Sequence, residues 1–183
     1  MSTENSTEEE IKEWFALSAP HRKELEARRL LEKNNIRCFI PMVTTVVTVS
    51  GHKQRREVPA VTNLVFAYTT REHLQEVKRG IPFIQYKVNT ENGKNVPITV
   101  PERQMNPFMA ICQSRNEEIT YLSPDEINIS KGTRVKIIGG ELNEVEGIFV
   151  KIRGKRSRRL VVIVPGVTAV TAEINPDFIQ VIK

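Results

Sequence analysis

The sequence predicts an α+β chain in two parts, an antiparallel sheet with helices on one side and then a small all-β barrel. Three observations predict this. Up to residue 113, strand-like and helix-like runs alternate in the order β-α-β-β-α-β-α. After Lys131, only short β-rich runs occur, punctuated by Gly139-Gly140, Gly154 and Pro165-Gly166. Between them, residues 114–129 are polar and contain Ser123-Pro124-Asp125, as a linker would. The boundaries expected are a disordered leader at 1–10, a first domain at 11–113, the linker at 114–129 and a second domain at 130–183.

The elements follow in order. Met1 to Glu10 is acidic and rich in Ser and Thr, unlike a signal peptide. Glu13 to Ser18 is a strand. Pro20 to Asn34 is rich in helix formers, with Ala27, Leu30 and Leu31 able to face a core, and Asn34-Asn35 stops it. Arg37 to Val49 is dominated by β-branched and aromatic residues and is extended, with Pro41 bending it or marking an edge. Ser50-Gly51-His52-Lys53 turns the chain into a returning strand from Glu57 to Thr69. Arg71 to Arg79 is a short helix ended by Gly80, Phe83 to Val88 a strand, and Asn92-Gly93 a turn. Thr99-Val-Pro-Glu102 fits a capping box opening a helix to about Gln113. The later strands are expected at Thr133–Ile138, Gly147–Arg153, Leu160–Val164, Thr168–Ile174 and Phe178–Ile182.

Composition narrows the class. The 183 residues are 39% hydrophobic and 27% charged, an ordinary globular balance. No apolar run approaches the ~18 residues of a membrane span. A cytoplasmic monomer without membrane contact is expected. Cys38 and Cys112 sit in apolar company and read as buried free thiols. The net charge of +5 is uneven: residues 131–183 hold 10 basic and 5 acidic side chains. Both parts are mildly basic, as suits a neighbouring polyanion. No phosphate-binding loop, nucleophile elbow or His-Glu-x-x-His motif is present, and His21, His52 and His73 are scattered. The chain is therefore expected not to be an enzyme and to hold no cofactor or metal.

Two stretches carry a family resemblance. Lys131 to Gly140, followed by Val145-Glu-Gly147-Ile-Phe-Val-Lys-Ile152, resembles a KOW motif, in which Gly132 and Gly147 are the structural glycines. Gly147 would let two barrel strands approach closely. Trp14-Phe15 resembles the Trp-Tyr start of NusG N-terminal (NGN) domains, and Arg37 to Met42 is similar to the corresponding strand of RfaH-like paralogs. Residues 12–183 follow the NusG family order, a ferredoxin-like NGN domain, a linker and an SH3-like KOW barrel. The run from Arg158 to Val170 resembles UpxY-like antiterminators of capsular polysaccharide operons.

The resemblance implies a transcription elongation or antitermination factor. Its N-terminal domain would bind the RNA polymerase β′ clamp helices through an apolar depression. Where the family has Phe-Pro-Gly-Tyr or Phe-Pro-Asn-Tyr, this chain reads Val61-Thr-Asn63-Leu64-Val65-Phe66. By similarity Val61, Asn63, Leu64, Phe66, Tyr86 and Met105 would contact polymerase. Alternation along the strand points Val65 away from Leu64 and Phe66. His21, Arg22, Lys23, Lys33 and Arg79 are candidates for contact with non-template DNA. Lys151, Arg153, Lys155, Arg156, Arg158 and Arg159 place six cations in nine residues, a candidate site for DNA or nascent RNA. The turn from His52 to Arg56 either reaches nucleic acid or is simply solvated. Ile148, Val164 and Val167 would form the KOW face for ribosomal protein NusE or Rho. The β-branched runs at 160–164 and 167–171, with Pro165-Gly166 between them, predict a stable β-barrel rather than a helical hairpin. A general NusG factor, or a ribosome- or RNA-binding KOW protein, are the other readings.

Overall fold

The computed structural model describes residues 11–114, 119–123, 126, 132–152, 154 and 156–182. The expected leader, most of the expected linker, and Lys131, Arg153 and Lys155 lie outside the described residues.

The first sheet is built from β1 (Glu13–Ser18), β2 (Arg37–Phe39), β5 (Val65–Thr69) and β6 (Gln85–Tyr86) in the order β2-β5-β1-β6, all antiparallel, with β9 (Thr99–Val100) also on β1. With α1 (Glu24–Lys33) and α2 (Arg71–Arg79) this is the split βαβ arrangement. Period-2 alternation gives the sheet two apolar faces. Phe15, Leu17, Val65 and Ala67 pack with Ala27 and Leu31 of α1 and Leu74 of α2. Trp14, Ala16, Leu64 and Phe66 turn the other way, onto Met105 and Phe108 of α3 (Glu102–Gln113). The expectation of helices on one side therefore holds for α1 and α2, while α3 covers the opposite face. Val65 points away from Leu64 and Phe66, as the alternation required.

Several element boundaries differ from the sequence expectation, among them the Arg37–Val49 run, which breaks at Ile40-Pro41, and three have a plain local reason. Residues His21 and Arg22 have φ of 60° and 58°, so the helix cannot begin at Pro20 and starts at Glu24. The long returning strand divides into β4 (His52–Pro59) and β5, because Asn63 has φ 58°. The capping box does not form: Thr99 is in β9, and Pro101 occupies the cap position without a side-chain bond. By contrast, Thr70 caps α2, its hydroxyl accepting the His73 N–H at 3.2 Å.

Two ribbons project from this unit, β3 (Met42–Val49) with β4, and β7 (Val88–Glu91) with β8 (Lys94–Pro97). Each turns through a pair of left-handed residues, Ser50-Gly51 and Asn92-Gly93, the geometry of a two-residue hairpin loop.

The second sheet has the order β10-β14-β13-β12-β11-β15, antiparallel throughout, from β10 (Thr120–Leu122), β11 (Thr133–Ile137), β12 (Glu146–Lys151), β13 (Arg158–Val164), β14 (Thr168–Ala172) and β15 (Ile179–Val181). Its segments 160–164 and 168–172 are strands, as their β-branched composition predicts. Strand β10 lies inside the stretch expected to be linker. α3 packs on β13 and β14, and one apolar cluster runs from Trp14 and Phe66 through Phe108 to Val162 and Val170. α3 is thus a layer shared by both sheets.

Candidate partner-binding surfaces

The expected polymerase-contact residues divide between two faces. Leu64, Phe66 and Met105 are fully buried in one cluster, with half-buried Val61 at its margin. Phe39 and Phe108, which the sequence reading did not single out, complete an aromatic group there. Phe108 stands edge-on to Phe66 and Phe39 at 5.9 and 6.2 Å. No signal in a single strand could have assembled them, since the three rings come from three elements.

Tyr86 does not join this group. It lies opposite Leu17 in the β1–β6 register, and therefore on the α1/α2 side, 5.9 Å from the Phe15 ring. The Lys78 ammonium sits 3.6 Å above the Tyr86 ring, and burial pushes the phenol above its ordinary range. Asn63 has a local task. It holds the left-handed turn before β5, and its N–H donates to the buried Glu24 carboxylate at 2.7 Å. That conformation explains a Gly-or-Asn choice at this position without invoking a partner.

The cations expected to meet DNA are spread over both ends of α1 and the end of α2. His21 and Arg22 are exposed in the strained turn before α1, and Lys23 at the helix cap sits over the Phe83 ring at 4.6 Å, with Glu26 at 3.7 Å. Lys33 is exposed at the far end of the ten-residue helix, about 15 Å away. Arg79 is exposed at the end of α2.

In the barrel, Lys151, Arg156 and Arg158 are exposed around the β12–β13 turn, and Lys151 Nζ donates to the Arg156 carbonyl at 3.1 Å. Arg159 departs from expectation. It is 1% exposed, its Nε donates to Thr171 Oγ1 at 3.0 Å, and its guanidinium meets Glu173 at 3.4 Å. Strand alternation turns Arg158 out and Arg159 in, so Arg159 is a structural cation and not a nucleic-acid contact. The proposed KOW face also divides. Val164 and Val167 share the β13–β14 turn in the cluster that includes α3, while Ile148 packs with Val150, Val161 and Ala169 in another.

Of the KOW glycines, Gly132 immediately precedes β11. Gly147 is at a true close approach, where a Cβ would lie 2.7 Å from the Val161 carbonyl oxygen.

Burial lifts the thiols of Cys38 and Cys112 to about 12, leaving both protonated and unreactive near neutrality. Among the described residues, no cluster of three or more His, Cys, Asp and Glu side chains could hold a metal ion. No described helix is long and apolar enough to cross a membrane.

Residues 12–109 match the family described as transcription termination factor NusG. The chain belongs to the NusG family. This membership, covering the whole first sheet and most of α3, places it among transcription factors. A solved structure titled "Domain interaction in Thermotoga maritima NusG" is 20% identical, covering 94% of this chain and 98% of that one, with a TM-score of 0.48. No curated protein matches the chain closely enough to count as a relative.

Proposed function

We propose that this NusG-family protein is an elongation or antitermination factor that binds RNA polymerase through its N-terminal unit and a further partner through its barrel. The observation that carries the reading is the family match over residues 12–109, which includes every residue of the apolar cluster from Val61 to Met105. The clamp-holding action would be steric: a protein bridging the two sides of the polymerase disfavours the open, paused state. Holding the barrel on the same chain raises its effective concentration near the transcript. The finer assignment is an operon-specific paralog of the UpxY kind, serving capsular polysaccharide operons. It is supported by the Arg158–Val170 resemblance and by aliphatic residues replacing aromatic ones at Val61 and Leu64. NusE or Rho would be the barrel's partner.

The closed packing adds a condition. Leu64 and Phe66 are buried in the cluster that α3 covers, with Met105 of α3 packed onto them, so a partner reaching them requires that layer to move. Glutamates at Leu64 and Phe66 would unfold the protein, and the test belongs at half-buried Val61. Immobilised wild-type chain should retain polymerase β′ from a lysate, and Val61→Gln should retain markedly less with an unchanged circular dichroism spectrum. Recovery of ribosomal subunits without polymerase would replace this reading with that of a ribosome-binding KOW protein.

A further inference from the structure

The β3–β4 ribbon has no role in the reading above, and most of its residues are exposed. It is a separate two-stranded sheet of eight residues per strand, about 27 Å long, paired from Met42↔Pro59 to Val49↔His52. Among the described residues its root is fixed by the Ala60 N–H donating to the Pro41 carbonyl at 2.8 Å and the Tyr121 hydroxyl donating to the Met42 carbonyl at 3.3 Å. Beyond the root even Val46 is 58% exposed. An isolated hairpin of this length buries too little to be stable by itself, so its projection into solvent needs a partner to account for it.

The ribbon's charge identifies that partner's chemistry. Over residues 42–59 it carries Lys53, Arg55 and Arg56 against a single acidic residue, Glu57, toward its root. None of these three has an ion-pair partner among the described residues. Thr45 and Thr48 add hydroxyl donors opposite Arg56 and Lys53. Alternation puts Lys53 and Arg55 on one face and His52 and Arg56 on the other. Cations on both faces suit insertion between two rows of phosphate. A flat or one-sided polyanion would engage only one face. The major groove of a duplex admits a two-stranded ribbon and presents such rows on either side. The segment 42–59 contains no aromatic residue, so the stacking that dominates single-strand binding is missing here.

We infer that the β3–β4 ribbon is a duplex nucleic-acid-binding element that enters a groove and contacts the phosphates of both strands through Lys53, Arg55 and Arg56, without reading sequence. On the cleft side Arg28 of α1 lines the same cavity of about 820 Å³ as Arg55, where two cations face the single carboxylate of Glu57. The inference is independent of polymerase binding and is tested on free DNA.

The experiment measures fluorescence anisotropy of labelled duplexes of two unrelated sequences, and of one single strand, with the full chain between about 50 and 200 mM salt. Wild type should bind both duplexes alike. The Lys53→Gln, Arg55→Gln, Arg56→Gln variant should lose roughly tenfold or more in affinity at the low-salt end, and its salt slope should fall by about 2.7, three duplex phosphate contacts. The charge-keeping Lys53→Arg, Arg55→Lys, Arg56→Lys variant should restore the slope, which separates a charge effect from misfolding. An unchanged slope in the glutamine variant, a loss confined to the single strand, or a difference between the two duplex sequences would overturn the inference.

Discussion

At the scale of single residues, burial decides more than residue type. Phe66 is fully buried among Phe39, Phe108 and Trp14, so Phe66→Ala should cost about 3–5 kcal/mol, read as a lower urea midpoint. Burial of the two thiols gives a pH effect of definite sign. Their folded pKa of about 12 lies above the ordinary 9.0, so the folded state keeps protons that the unfolded state gives up. Stability contributed by Cys38 and Cys112 is complete below pH 9 and is lost as pH rises toward 12. Tyr121, raised chiefly by desolvation, adds to the same decline. Urea titrations across this alkaline range should show the loss, and Cys38→Ala with Cys112→Ala should flatten it. The sequence disclosed the apolar setting of both cysteines. It did not disclose the inward turn of Arg159, because the phase of β13 is set by its pairing with β14 and not by composition.

At the scale of elements, β1 and α2 were legible to the residue, since each is bounded by its own local signal. The early start predicted for α1 was not, because the left-handed pair His21-Arg22 has no sequence signature comparable to an Asn-Gly turn. The opposite placement of α3 was illegible for another reason. Both faces of a two-sided sheet alternate identically, and only the later barrel decides which helix covers which. The β12–β13 crossing was predicted from the KOW glycine, and its geometry gives a quantitative expectation. A methyl on Gly147 would meet the Val161 carbonyl at 2.7 Å and Leu160 Cδ1 at 2.8 Å. Gly147→Ala should therefore destabilise the protein by about 1–3 kcal/mol, measured by thermal unfolding.

At the scale of the whole molecule, α3 makes two sheets share one apolar cluster. The protein should unfold in one transition: fluorescence of the single tryptophan, Trp14 in the first sheet, and far-ultraviolet dichroism of both sheets should give superimposable curves. Two separated transitions would show that the sheets are energetically independent. The shared helix also sets an order in time. During synthesis the first sheet and α3 are complete at residue 113, 59 residues before the end of β14 at Ala172. At about 5–20 residues per second, the outer side of α3 waits roughly 3 to 12 s for β13 and β14 to exist. In that interval the nascent chain carries the family-matched unit without its cover, so the apolar cluster of a newly made molecule is open before it can close.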